Sequence, residues 1–381
     1  MKCESIHNNN ILINDTRLIT DFKITTYSNY NKAQVKIKLI KAILENDIES
    51  ACFWSAEYIC AGQYLYLWNI IIDIVSKHIN IASPLLAIYI DKRVQNFKQL
   101  VESNNNSNIL DLRNNESIRV LFGEIIIILC KSSKQPTIQS IKINKSTDYS
   151  INHISNISKA DSVEYIQSVF KEGDPQYLFV ALNEFAYNIS LKVKDSYKAC
   201  YWIEWVINAK TKTKNNSYKR NFIDISDKYK SDAIWIIWEI IILTSKYHNI
   251  TIQSIIRSLL SIFCLHYSHS VPKKRKFILY YAVELLCKPI DLTKPVWKSK
   301  EEINTILEKI NNIYKDINKN NLDKNSTSNN SNIKSENNID IKNYNNSNNI
   351  REKTKDTTKL TKKMEKINLF FNMSNSIIKK Q

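Results

Sequence analysis

Glycine is nearly missing from this 381-residue chain, which holds only Gly62, Gly123 and Gly173. A phosphate-binding loop needs two glycines at fixed spacing before Lys-Ser/Thr, and a dinucleotide fingerprint needs three close together. P-loop, kinase and Rossmann chemistry are therefore excluded. Sandwiches and barrels, which use glycine at tight turns, are disfavoured on the same ground. Histidine is scarce at six, and no Ser/His/Asp or Cys/His arrangement has local support. Long apolar runs are lacking too. Leu65 to Val75 and Ile234 to Leu243 are interrupted by Asn69, Asp73 and Glu239 and reach about half a membrane span, so no membrane association is expected. Met1-Lys2-Cys3-Glu4 leads into polar residues and not into an apolar signal sequence. The seven cysteines, Cys3, Cys52, Cys60, Cys130, Cys200, Cys264 and Cys287, form no Cys-x-x-Cys pair. Their odd number argues against a disulfide framework, and most lie in apolar runs, so free thiols in a reducing intracellular compartment are expected.

What the chain has instead is apolar helical periodicity and positive charge. Hydrophobic residues make up 43 %, enough for a core, and 54 Lys+Arg against 37 Asp+Glu give a net charge of +17. The abundance of Asn, Ile and Lys, whose codons can be almost pure A and T, points to genome bias of the kind expected in AT-rich protists and large DNA viruses. Part of the basic surplus is read as that bias.

Residues 1 to about 30 are polar, with a short extended stretch at Ile11 to Ile13. The helical period then begins. Val35 to Leu44, Ile48 to Ala61, Leu65 to His78, a helix opened by Ser83-Pro84, and Glu116 to Lys131 form a first set, with Gly62 closing the second helix. Asp161 to Phe170, a helix opened by Asp174-Pro175, Ser196 to Ala209, Ala233 to Tyr247, Thr251 to Tyr267 and Lys276 to Cys287 form a second. The expected fold class is all-α: a multi-helix unit over 31–145, a linker over 146–160 and a second unit over 161–299 with a basic insertion at 208–231. A polar helix over 300–317 and a disordered Asn/Lys-rich tail over 318–381 follow.

The two units echo each other. Ala51-Cys52-Phe53-Trp54 matches Ala199-Cys200-Tyr201-Trp202, Leu67 to Ile72 matches Ile237 to Ile242 with His78 opposite His248, and Leu129-Cys130-Lys131 matches Leu286-Cys287-Lys288. Order is kept, as a duplicated helical unit requires. A rival register pairs Leu39 to Ile59 with Tyr165 to Phe185.

Few residue groups carry chemistry. Cys264-x-His266-x-x-His269 is the one close cluster of metal-ligand types, but no second cluster supplies the remaining ligand of a zinc site, so no metal is expected. Trp54, Trp68, Trp202, Trp205, Trp235 and Trp238 lie at helical spacing in apolar runs, which is core packing. Glu57, Asp73, Glu124, Glu204, Glu239 and Glu284 sit on apolar helices, yet Glu-x-x-His is absent, so no catalytic set, cofactor or enzyme activity is expected. Two basic groups remain. One is Lys210, Lys212, Lys214, Lys219, Arg220, Lys228 and Lys230; the other is Lys273-Lys274-Arg275-Lys276, which also has the look of a short nuclear-import signal. Loop cations of this kind can track a phosphate backbone.

Two stretches resemble known families. Asp47-Ile48-Glu49-Ser50-Ala51-Cys52-Phe53-Trp54-Ser55-Ala56-Glu57-Tyr58-Ile59, then Gly62, Val75 to Pro84 and Ile127 to Ser132, follow the order and spacing of the C-terminal helical domain of the RarA/MgsA/WRNIP clamp-loader-like family. The family's Ala-Arg is displaced by Ser55-Ala56-Glu57, its Glu-Asp-x-Gly by Lys77-His78-Ile79-Asn80, and no AAA+ module accompanies the region. The resemblance implies an oligomerising or scaffolding role at replication forks and no active site. Met364-Glu365-Lys366-Ile367-Asn368-Leu369-Phe370-Phe371 resembles a sliding-clamp-binding box in which Met364 replaces glutamine and Ile367, Phe370 and Phe371 form the hydrophobic plug.

The resulting expectation is a non-enzymatic accessory or scaffold protein of DNA replication or repair, in the nucleus or at a viral replication site. Its expected partners are DNA, through the basic loops, a sliding clamp, through the tail, and further copies of itself or another protein. Lys219→Glu and Arg220→Glu are expected to weaken DNA binding. The alternative is a virion or assembly scaffold with no nucleic-acid contact.

Overall fold

The computed structural model describes residues 12–104, 108–209, 217–297, 299–308 and 310–327. Among them regular structure is helical, and a single bridge between Thr25 and Asn31 is the only extended pairing. The chain is all-α.

The first five helices are α1 (Lys32–Leu44), α2 (Ile48–Cys60), α3 (Tyr64–Ile74), α4 (Leu86–Ser103) and α5 (Glu116–Lys131). Asn31, Asp47 and Asn115 open α1, α2 and α5, each side chain accepting from N–H groups that have no helical partner. Gly62 follows α2 at φ +66, where a Cβ would be strained. A short α6 (Ile151–Ile157) lies in the connection to α7 (Phe179–Ile189), α8 (Ser196–Ala209), α9 (Ile234–Ser245), α10 (Ile250–Cys264), the four-residue α11 (Val271–Lys274) and α12 (Lys276–Cys287). The chain then forms α13 (Lys300–Leu307) and α14 (Ile310–Thr327).

Three expectations fail locally. Ser83 and Pro84 stand ahead of α4 without capping it, and the Leu86 N–H bonds to the Ser83 carbonyl instead. Asp174 does not cap a helix, because its carboxylate is taken by Arg220 and by the Lys171 and Tyr218 N–H groups. The stretch 161–170 is turns around Glu164–Ile166, with Ile166 and Val169 buried as plugs and no helical face formed. At the far end, α14 continues to Thr327, past the expected start of the tail at Asn318. The 300–317 stretch is not merely polar either, since Ile303, Ile310, Tyr314 and Ile317 are buried.

The helix neighbours repeat. In the first half α1 packs on α2, α3 and α5, α2 also packs on α3 and α5, and α4 packs on α5. In the second half α7 packs on α8, α9 and α12, α8 also packs on α9 and α12, and α10 packs on α12. Thus the neighbour pattern of α1 to α5 recurs, in order, in α7, α8, α9, α10 and α12, where α9 additionally packs on α10 and α12. This is the pairing of the tryptophan register, whereas the rival register sets α2 against α7. The two halves meet through the equivalent helices α4 and α10. There Ser261 donates to Asp91 (2.6 Å), Arg275 to Asn69 (2.9 Å) and Tyr281 to the Pro84 carbonyl (3.1 Å). One continuous set of buried apolar side chains runs through both halves.

Candidate functional site

The carboxylates on the apolar helices are each occupied by the fold. Glu57 accepts from the Thr26 and Ser28 hydroxyls (2.7 and 2.6 Å) and the Ser28 N–H (2.9 Å), which ties the entry loop to α2. Asp73 pairs with Lys36 and Lys77, and Glu124 with Arg93. Glu204 holds Lys276 and Tyr280, Glu239 holds Arg220, and Glu284 holds Lys288. They sit on different faces of different helices, and among the described residues no three metal-ligand side chains converge. Nor does Cys264-x-His266-x-x-His269 assemble. Burial pushes the Cys264 thiol up to about 12 and holds His266 down to about 4. His269 points outward from its own turn, with its side chain 70 % exposed. No disulfide joins the six described cysteines, five of which are buried.

The basic residues separate into three kinds. Lys210, Lys212, Lys214 and the box residues Met364, Ile367, Phe370 and Phe371 lie outside the described residues. Arg220 and Arg275 are structural, which corrects the expectation that they face a ligand. Arg220 is 2 % exposed and donates to Asp174 (2.8 and 2.9 Å) and Glu239 (2.7 Å). Burial works to raise the pKa of Asp174, but the Arg220 and main-chain hydrogen bonds prevail and hold it below its ordinary value. Arg275 is 8 % exposed and donates to the carbonyls of Ile262, Phe263 and Leu265 at the end of α10, with burial lowering its pKa to about 10. Lys276 is drawn inward to Glu204 and Ser140. Lys219 and Lys230 both pair with Asp227 (2.9 and 3.0 Å), and Lys228 lies over the Tyr229 ring.

Lys273 and Lys274 are the third kind, pairing with no carboxylate among the described residues. They rim a cleft of about 480 Å³ together with His269. Its floor is apolar: Val206 and Ile207 from α8, Ile234 from α9, and Pro272. The His269 ring stands edge-on to Tyr229 at 4.9 Å, and its Nδ1 lies 3.4 Å from the buried Asp232 carboxylate, which also accepts from Tyr267 (2.8 Å).

No known protein family, curated protein or solved structure matches the chain. Among the described residues no helix is long and apolar enough to cross a membrane.

His269 is a rim residue that its sequence neighbours, Cys264 and His266, place in a metal-ligand pattern and not in either basic group. Lys273 and Lys274 are adjacent in sequence to Arg275 and Lys276, and only their helix geometry separates exposed from buried.

Proposed function

We propose that the chain is a non-enzymatic accessory protein of DNA replication or repair, which binds nucleic acid at the Lys273–Lys274 cleft. The observation that carries this reading is the cleft itself, an apolar floor rimmed by two lysines and a histidine with no carboxylate among its described lining residues. Phosphates would sit against the lysine ammonium groups with release of counterions, and the apolar floor suits a sugar or a base face. The occupied state of the six helix carboxylates supports a role without catalysis. The resemblance of residues 39 to 138 to the RarA/MgsA/WRNIP helical domain, and of 364 to 371 to a clamp-binding box, supports the placement at a fork. Ile367, Phe370 and Phe371 would fill the clamp's pocket.

The test is binding of labelled single- and double-stranded DNA across a salt series. Lys273→Glu/Lys274→Glu is expected to weaken binding about tenfold or more and to flatten the salt slope. Lys219→Glu, already paired with Asp227, should change binding much less. An unaltered salt slope in the double variant overturns the cleft as the interface. Absence of any DNA binding by the folded chain leaves the assembly-scaffold reading. A peptide spanning Lys359 to Gln381, with Phe370→Ala/Phe371→Ala as control, tests the clamp contact separately.

A further inference from the structure

Most described cations of the two basic groups are engaged by the fold. Arg275 is turned inside, Lys276 reaches Glu204, Lys219 and Lys230 share Asp227, and Lys228 lies over the Tyr229 ring. Lys273 and Lys274 remain. Both are exposed, they are neighbours on the four-residue α11, and both stand at the mouth of one cleft. Free positive charge here is therefore concentrated at a single point and not spread along a track.

What lies beneath the two lysines narrows the ligand. The floor is Val206, Ile207, Ile234 and Pro272, of which Ile207 is only half-buried, while His269 and Ser270 stand at the rim. At about 480 Å³ the cleft has the size of a small-molecule site. A phosphate pressed onto that floor would lose its water and gain no hydrogen bond from the side chains there. Phosphates therefore stay at the mouth with the ammonium groups, and an apolar group has to fill the space below. A duplex offers none. Its base faces are stacked on one another, and its outer surface is phosphate, sugar and the base edges in the grooves. Laid across the mouth, it would touch the lysines and leave the floor uncovered. An unstacked base of a single strand presents a flat apolar face close to the phosphates of its own backbone.

We infer that the cleft takes single-stranded nucleic acid, with one unstacked base seated on the Val206–Ile207–Ile234–Pro272 floor and the neighbouring phosphates on Lys273 and Lys274. This presupposes that nucleic acid is the ligand of the cleft and narrows it to one strand form. The seat tolerates any sequence, because every base has an apolar face and the floor side chains offer no donor or acceptor to select a base edge. Affinity is divided between two contacts of different kind. The lysines supply the salt-dependent part, and the floor supplies a part that salt leaves in place.

The experiment measures fluorescence anisotropy of labelled oligonucleotides of equal length with the full chain, across a salt series. The probes are a thymidine strand, the same strand annealed to its complement, and a strand of equal charge that carries abasic sites. The wild type is expected to bind the thymidine strand about tenfold or more tightly than either of the others, a comparison that needs no variant. Ile207→Ser, at a half-buried position and with circular dichroism confirming its helical content, should weaken single-strand binding about threefold to tenfold and leave the salt slope unchanged. Lys273→Glu/Lys274→Glu should lower both affinity and slope. Duplex or abasic strand bound as tightly as the thymidine strand, with the lysine variant still weakened, leaves phosphate as the contact: the base seat is overturned and the nucleic-acid reading stands. Thymidine monophosphate that displaces the strand at equal concentration marks a mononucleotide site and overturns the inference too. No binding of any probe, or binding that neither variant alters, overturns both readings of the cleft.

Discussion

The two halves share a helix order, but of the four buried arginines only Arg220, in the second half, is held by carboxylates. In the second half Arg220 is clamped between the carboxylates of Asp174 and Glu239. In the first, Arg113 donates to the Cys60 and Asp15 carbonyls, and Arg119 to the Arg113 carbonyl and the Asn114 side chain. Both arrangements engage a buried guanidinium, one with charge and one mainly with main-chain dipoles, which leave the Arg113 Nε–H without a hydrogen-bond partner. The apolar faces are what the two halves have in common. Trp68 on α3 and Trp238 on α9 are both almost fully buried at corresponding positions, and neither indole N–H has a hydrogen-bond partner. Packing sets the framework, and polar groups are settled locally around it.

The contrast between the arginines gives the largest expected effect. Arg220→Met leaves the buried Asp174 carboxylate without its cation beside half-buried Glu239 and should cost about 3–5 kcal/mol in chemical denaturation. Arg113→Met orphans two carbonyls that can rearrange, and should cost about 1–3 kcal/mol. Equal losses would dissolve the distinction between the halves. Next come the tryptophans. Trp68→Phe and Trp238→Phe each shrink a packed ring but remove an unsatisfied donor, so each should cost only about 1–2 kcal/mol. Clearly unequal values would break the equivalence of α3 and α9.

The smallest effects lie in pH. Half-buried His266 has its pKa held down to about 4 by desolvation, so between about 6.5 and about 4 the unfolded chain binds a proton that the folded chain refuses. Stability should therefore fall as pH drops through that window. His266 sits at φ +48, a conformation asparagine tolerates, and His266→Asn should flatten this limb in thermal melts. Asp174 works in a lower window. Its folded pKa is lowered, so its contribution is present above the ordinary carboxylate value of 3.8 and is lost as pH falls below it. Arg220→Met should remove that second limb while leaving the His266 limb in place.

Much of the architecture was legible because helical periodicity is a local property. The spacing of Val35, Leu39 and Ile43, or of Ala199, Trp202 and Val206, states which face is buried without reference to any distant residue, and all six are buried. Gly62 marked a helix end because its own φ demands it. The errors came where a distant partner competes for a local signal. Asp174-Pro175 has the form of a helix start, but Arg220, far along the chain, takes the carboxylate. Arg220 and Arg275 read as surface cations beside Lys219 and Lys274, yet they are drawn inside.

The sequence alone determined an all-helical chain without the glycine loops of nucleotide chemistry, with five of the six described cysteines and Trp68, Trp202, Trp205, Trp235 and Trp238 buried in the core. These follow from composition and from periods of a few residues. The tertiary structure decided which cations remain at the surface and that the carboxylates on apolar helices are already engaged. Those outcomes depend on pairings such as Asp174 with Arg220 and Glu204 with Lys276, between residues far apart in the chain, and no local pattern encodes the meeting of their side chains.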